Sequence, residues 1–195
     1  MSATIETEVK FPVADGVTLE RQLAELGFRL VTPRTFEKNI LFDTPDRALR
    51  ARQEILRVRR YGDSWVLTHK CVPEDDNPAG RYKNRVETET RVEDGEAVAA
   101  IFGHLGFKPA FTYEKWRSEW ADAVGHCVID DTPIGLFAEL EGPSDWIDTT
   151  GEKLGIDPAK FTTLSYGRLF ELWQQENDPS VTDLTFEAVA KSTRP

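Results

Sequence analysis

The sequence predicts an α+β fold in which helices cover the outside of an antiparallel β-barrel. Two observations predict it. About eight segments alternate between polar and apolar residues, and short turns rich in Gly, Pro and Asp separate many of them. In addition, the alternating strands carry charged residues on one face and apolar residues on the other, while a few amphipathic helices are available to cover the apolar face.

The predicted strands run along most of the chain and are joined by short connections. Gly62-Asp63-Ser64 is a good hairpin turn, and Thr132-Pro133-Ile134-Gly135 turns the chain into the last strand. Pro73 to Gly80 is predicted to be a polar loop. In chain order the strands are Thr4–Val13, Arg29–Phe42, Ile55–Tyr61, Trp65–Val72, Tyr82–Val92, Phe111–Ala121, His126–Asp131 and Leu136–Glu141.

Helical spacing appears between the strands and again after the last one. The first helix is expected over Val17–Leu26 and stops at Gly27; a second begins at Asp94 and ends near Gly106. Two more are expected over Trp146–Leu154 and Tyr166–Gln175, the latter capped by Ser165.

The end of the chain is polar. Residues 1–177 are expected to form one domain, and 178–195 a loosely held tail. The alternative is a short helix over Leu184 to Ala190 within that tail.

The composition of the chain limits which partners and which cellular location we expect for it. The chain has 195 residues and a net charge of −10, which argues against nucleic acid as the main partner but leaves room for a local basic cluster that binds a small anion. The sequence shows neither an apolar run long enough for a membrane helix nor a signal-peptide core, so we expect a cytoplasmic protein without a membrane partner. Cys71 and Cys127 show no metal-binding spacing and are expected to be ordinary reduced cysteines.

In one predicted strand after another, every second residue is charged; we call residues separated by two positions residues of the same parity. Glu6, Glu8 and Lys10 share one face of the first strand, because alternate residues of a strand point the same way. The same alternation places together Arg57 and Arg59, then Arg85, Glu87 and Glu89, then Lys115, Arg117 and Glu119, and finally Glu139 and Glu141.

Two interpretations of these charged faces remain open. They are either the solvated faces of amphipathic strands or the lining of a barrel whose apolar face is covered by the helices. Because buried unpaired charge is costly, the second interpretation requires occupants of the barrel. Paired carboxylates suit Mg²⁺ or Mn²⁺, and the Arg and Lys side chains suit a polyphosphate.

Several motifs, taken together, resemble the CYTH superfamily, also called triphosphate tunnel metalloenzymes. The resemblance extends from Ile5 to Trp173, nearly the whole chain. Its motifs, in the family's order, are I-E-T-E-V-K, N-I-L-F-D-T-P-D, L-R-V-R-R, L-T-H-K, R-V-E-T-E, Y-E-K-W-R and D-D-T-P-I-G-L-F-A-E-L-E-G followed by S-Y.

The resemblance implies an eight-stranded closed antiparallel barrel whose tunnel binds a triphosphate together with Mg²⁺ or Mn²⁺. The carboxylates that it assigns to metal are Glu6, Glu8, Glu87, Glu89, Asp130, Glu139 and Glu141. The residues that it assigns to the phosphates are Lys10, Arg57, Arg59, Lys70, Arg85, Lys115 and Arg117. Catalytic roles are expected for Glu6 and Glu8, and for Lys115, which could orient or activate the attacking water.

Three functions are compatible with these residues. We expect metal-dependent hydrolysis of an inorganic or organic triphosphate. The first alternative is a class IV adenylate cyclase that makes cyclic AMP and pyrophosphate from ATP, and the second is a catalytically silent sensor of polyphosphate or nucleotide. The sequence leaves open whether the chain is a monomer or a homodimer.

Overall fold

A computed structural model describes residues 4–74 and 80–192 and contains a closed barrel of eight antiparallel strands. The strands are β1 (Thr4–Pro12), β2 (Arg29–Asp43), β3 (Ile55–Tyr61), β4 (Ser64–Cys71), β5 (Lys83–Val92), β6 (Lys108–Ala121), β7 (His126–Thr132) and β8 (Gly135–Glu141). The helices are α1 (Gly16–Glu25), α2 (Ala48–Ala51), α3 (Gly95–His104), α4 (Ser144–Lys153), α5 (Tyr166–Glu176) and α6 (Phe186–Ser192).

The barrel closes around the order β1-β5-β4-β3-β2-β6-β7-β8. Closure pairs β1 with both β5 and β8, so that Glu6 lies opposite Arg85, and Glu8 lies opposite Glu141. The predicted α+β fold, an antiparallel barrel of eight strands, is therefore confirmed. Part of the predicted loop Pro73–Gly80, residues 75–79, lies outside the described residues.

The main apolar core lies on the outside of the barrel wall, beneath helices α1 and α4. Val9 and Leu140 of the strands and Leu23 and Ile147 of the helices are fully buried there. The Asp15 carboxylate caps α1 by accepting from the Val17 amide, and Gly27, at φ +89°, ends the helix as predicted. Because the helices take the apolar faces of these strands, the charged faces are left to line the inside.

The C-terminal segment packs more closely than the sequence suggests. Leu184 is fully buried and bridges to Tyr113 of β6, and Val181 and Val189 are also buried. The expectation of a loosely held tail is therefore wrong over 178–192, because three apolar side chains spaced along a polar segment are enough to anchor it. The alternative, a short helix, is closer to the observed α6.

Other boundaries differ modestly from the prediction. Helix α2 is not evident from the sequence because it is a single turn; Asp43 stabilises it by accepting from the Leu49 and Arg50 amides. Strand β6 begins at Lys108, earlier than predicted, because β2 pairs with it up to Asp43.

Both cysteines are free thiols. Within 4–74 and 80–192 no helix is long and apolar enough to cross a membrane.

Candidate active site

Alternate residues of the eight strands bring a dense set of charges into the barrel. The basic members that form ion pairs there are Lys10, Arg57, Arg59, Lys70, Lys83, Lys115 and Arg117, and their acidic partners are Glu6, Glu8, Glu37, Glu87, Glu89, Asp130 and Glu139. Of the two interpretations of the charged faces, the structure supports the lining of a barrel. The basic and acidic groups of these ion pairs are equal in number, so their charges largely cancel.

Three carboxylates converge where β1 meets β8. One oxygen each of Glu6, Glu8 and Glu141 lies within 4.8 Å of the other two. Lys70 reaches Glu6 at 2.5 Å, and Lys83 forms an ion pair with Glu8. We call these three residues the carboxylate trio.

The pKa values within the trio show that its negative charges are crowded. Burial, together with the nearby Glu6 carboxylate, raises the pKa of Glu141 to about 7. Burial acts in the same direction on Glu8, but the ammonium groups of Lys83 and Lys10 outweigh it and hold the pKa of Glu8 well below its usual range. A divalent cation among the three carboxylates would relieve the repulsion between Glu141 and Glu6, and oxygen ligands suit Mg²⁺ and Mn²⁺.

We expect the affinity of the trio for Mg²⁺ to rise with pH. Below the pKa of about 7 the Glu141 carboxyl holds a proton that the cation must displace; above it the carboxylate is already free. One displaced proton weakens binding roughly tenfold per pH unit below that pKa. Calorimetric titration with Mg²⁺ at about pH 6 and about pH 8 measures the difference. Glu141→Gln should lose most of this dependence, and equal affinity at both pH values for the unaltered protein would contradict the assignment.

The basic side chains of β3 line another part of the wall. Arg57 donates to the Tyr113 hydroxyl and to Thr68 Oγ1, each at 3.1 Å, and it lies 3.9 Å from Glu87. Its neighbour at the same parity, Arg59, lies 3.7 Å from Glu37. The Nε atoms of both arginines are buried and have no hydrogen-bond partner among residues 4–74 and 80–192. These donors are available to an anion, because guanidinium groups bind phosphate oxygens through directed N–H groups.

A second basic group surrounds Asp130 of β7. Arg117 donates to both oxygens of this carboxylate, at 2.7 and 2.6 Å, and Lys115 approaches it at 2.9 Å. The Tyr166 hydroxyl donates to it as well, at 2.7 Å. These donors hold the pKa of Asp130 well below its usual range against the opposing effect of burial.

Helix α5 supplies Tyr166 to this group from outside the barrel wall. The Tyr166 ring lies 4.1 Å from Lys10 Nζ and 4.8 Å from Lys115 Nζ, so one side chain contacts two lysines as well as Asp130. The helix begins as predicted at Ser165, whose hydroxyl accepts from the Arg168 amide. Capping fixes the first turn of α5 and, with it, the position of Tyr166.

The remaining carboxylates predicted to hold metal contact basic side chains or a hydroxyl group. Glu87 lies 3.1 Å from Lys70 Nζ; Glu89 accepts from Thr68 at 3.0 Å; Glu139 pairs with Lys10 and with Arg117. Asp130 has its oxygens occupied by the donors described above. Arg85, predicted to bind phosphate, lies opposite Glu6 and donates to the Asn84 carbonyl at 2.7 Å. The individual roles of all these residues stay predictions.

Several inward residues were not singled out from the sequence. Lys83 shares the parity of Arg85 and Glu87, so the alternation itself could have identified it. Glu37 and Asn39 are fully buried on β2, but this strand has Lys38 on the opposite face and apolar Leu41 at the inward parity. Lys38 and Leu41 break the alternation, so no sequence pattern marks Glu37 and Asn39 as inward residues. Tyr166 enters from a helix, which strand periodicity does not predict.

The comparisons with known proteins agree with this architecture. The sequence model described as the CYTH domain matches residues 4–159. A protein of Methanocaldococcus jannaschii named "Putative adenylate cyclase" is 35% identical over 138 residues, which cover 70% of this chain and 76% of that one.

Two solved structures illustrate how widely the fold is shared. One, from Vibrio parahaemolyticus, is titled as a "putative adenylate cyclase"; its TM-score is 0.76 at 16% identity, covering 87% of this chain and 99% of that one. The other, from Hippeastrum, is titled as a "Putative adenylyl cyclase" that reveals a dominant triphosphatase activity; its TM-score is 0.61 at 16% identity, covering 87% and 95%. With a domain match over most of its length, the chain belongs to the CYTH family, whose members are enzymes that act on small triphosphate compounds.

Proposed function

We propose that the protein hydrolyses a triphosphate compound, inorganic tripolyphosphate or an organic triphosphate, with Mg²⁺ or Mn²⁺ held by the carboxylate trio. The observation that carries the proposal is a barrel lining in which three converging carboxylates share the interior with two groups of buried basic side chains. Phosphoryl transfer depends mainly on positioning and on electrostatic stabilisation of charge, and this lining supplies both.

Glu6, Glu8 and Glu141 fit a divalent cation because they offer oxygen donors only and lie close enough together to share it. A bound cation supplies Lewis acidity and neutralises charge on the phosphate oxygens. The protein's own part is to hold the phosphate chain beside the trio. Lys10, Arg57, Arg59, Lys70, Lys115 and Arg117, with Arg85, are the residues proposed to do so.

The charge balance of the lining favours the entry of cation and triphosphate together. The ion-paired basic and acidic groups of the lining already neutralise one another, so either a bare cation or a bare polyanion leaves an excess of buried charge. Lys10 illustrates the need for an anion: burial lowers its pKa to about 7, with Glu8 and Asp130 offsetting part of the effect. A phosphate group next to Lys10 favours its charged form.

Arg57→Ala is expected to weaken substrate binding more than turnover. The variant removes a buried guanidinium whose Nε is free for a phosphate oxygen, and a charge-assisted hydrogen bond contributes roughly 1.5–3 kcal/mol, or about 10- to 150-fold in KM. Steady-state kinetics with tripolyphosphate separate KM from kcat. Arg60→Ala is the matched control, because Arg60 is exposed on the same strand and faces outward. Wild-type KM and kcat in Arg57→Ala would show that Arg57 does not bind substrate.

Adenylate cyclisation is the second candidate. A cleft of about 330 Å³ next to the trio, lined by Ile5, Glu6, Thr7, Glu141, Gly142 and Pro143, offers space for a nucleoside. In addition, two of the relatives are named as putative adenylate cyclases. Product analysis with ATP and Mg²⁺ or Mn²⁺ distinguishes the two activities. Release of phosphate or pyrophosphate with linear adenosine phosphates supports hydrolysis, whereas cyclic AMP with pyrophosphate would replace it with cyclisation.

A further inference from the structure

The wall formed by β2 and β3 carries buried polar atoms that have no hydrogen-bond partner among the described residues. Two of them, Arg57 Nε and Arg59 Nε, are donors, and a third, the Tyr61 hydroxyl opposite Glu37, can both donate and accept. Two others, Glu37 Oε2 and Asn39 Oδ1, are acceptors, and both side chains are 0% exposed. Unpartnered buried polar atoms are unfavourable, so this concentration on two paired strands points to a ligand that binds there.

The acceptors show what kind of ligand this is. An ionised phosphate accepts hydrogen bonds and has nothing to donate, so it satisfies the arginines and is repelled by the Glu37 carboxylate. An O–H group donates, and it satisfies Glu37 Oε2 and Asn39 Oδ1. Asn39 lies directly opposite Arg59 in the β2–β3 pairing, so the O–H position adjoins the proposed phosphate position.

We propose that Glu37 and Asn39 hold the attacking water against the phosphate chain and that Glu37 accepts its proton; the inference rests on the proposed function. The water oxygen forms a bond to the terminal phosphorus as the bond from phosphorus to the bridging oxygen breaks. The bridging oxygen keeps the electron pair and leaves with the shorter phosphate chain. The water proton passes to Glu37 Oε2.

Neighbouring residues fix Glu37 for this role. Its other oxygen, Oε1, accepts from Asn39 Nδ2 at 2.8 Å and lies 3.7 Å from both Lys115 Nζ and Arg59 Nε. These contacts leave Oε2 as the free atom. Lys115 has only donors to offer and directs one of them to Asp130, so in this arrangement it positions phosphate and Glu37 rather than accepting a proton.

Glu37→Gln tests the proposal because it preserves the shape of the side chain and removes the proton acceptor. Loss of a general base lowers kcat by about 100-fold or more, and we expect KM for tripolyphosphate to stay within about threefold of wild type. Affinity for a non-hydrolysable β,γ-imido triphosphate, measured by calorimetry, should be no weaker than that of wild type, because the amide removes a charge that repels phosphate. Glu114→Gln is the matched control, since this neighbouring Glu of β6 lies next to inward Lys115 and pairs with the exposed Lys38.

Each outcome separates this inference from the proposed function. If wild type releases phosphate and Glu37→Gln does so at a similar kcat, the inference is wrong and the triphosphatase stands. A raised KM with unchanged kcat would also overturn it, because Glu37 would then act only as a counter-charge. If wild type makes cyclic AMP from ATP and Glu37→Gln loses that activity, Glu37 holds a ribose hydroxyl in place of water, and hydrolysis is wrong. A wild-type protein that turns over neither compound contradicts both.

Discussion

The double variant Glu6→Gln/Glu8→Gln is expected to lose metal-dependent phosphate release from tripolyphosphate by about three orders of magnitude or more. Both residues belong to the trio whose oxygens lie within 4.8 Å of one another, and the neutral amides supply neither the charge nor the pair of acceptor oxygens that a divalent cation needs. Rates of phosphate release at saturating Mg²⁺, together with Mg²⁺ titration of the free protein, measure the effect.

The fold of this variant should survive. Neutral side chains relieve the crowding that raises the pKa of Glu141, which offsets the loss of charged partners for Lys70 and Lys83. Circular dichroism and the unfolding transition check this. The control is Glu25→Gln/Glu176→Gln, which makes the same chemical change at two exposed helix positions. Undiminished turnover in the Glu6/Glu8 variant would remove the metal role assigned to the trio.

Asp130→Asn is expected to cost stability rather than metal affinity. The Asp130 carboxylate is fully buried and accepts hydrogen bonds from Lys115, Arg117 and Tyr166. The amide neutralises it and leaves two buried cations without a full counter-charge, which lowers the free energy of unfolding by about 3–5 kcal/mol. Denaturant unfolding measures the loss, and calorimetric titration with Mg²⁺ is expected to give a wild-type affinity.

A matched control lies at the next position in the chain. Asp131 pairs with Arg34 at 2.7 Å on the surface, where both side chains are about half exposed. Asp131→Asn should therefore change the unfolding free energy by less than about 1 kcal/mol. If Asp130→Asn were as stable as wild type but lost its affinity for Mg²⁺, Asp130 would be a metal ligand, as the family resemblance implies.

The alternation of residue types predicted which charged residues share a face of each strand, and the family resemblance implied the closed barrel that they line. Glu6, Glu8, Arg57, Arg59 and Arg117 all fall on inward faces, because strand geometry fixes the side of every second residue. The positions of the C-terminal helices against the barrel could not be predicted in the same way. Their contact with the barrel depends on single buried residues such as Tyr166 and Leu184, which have no periodic pattern.

Which charges meet across the barrel also could not be predicted. Parity gives the face of a residue but not its height in the barrel, which depends on the register of each strand pair. Thus Glu139 and Glu141 are both inward, yet Glu139 pairs with Lys10 whereas Glu141 joins the trio. Similarly, Glu37 is identified only once β2 is paired with β6, which places it opposite Lys115.

The most direct test is the initial rate of phosphate release from tripolyphosphate by the purified protein as the Mg²⁺ concentration rises from zero in the presence of EDTA. The account predicts no release in EDTA, a saturable increase with Mg²⁺ or Mn²⁺, and recovery of the full rate when metal is returned. Equal release with and without metal, or no release at any concentration of either cation, would contradict a metal-dependent triphosphatase.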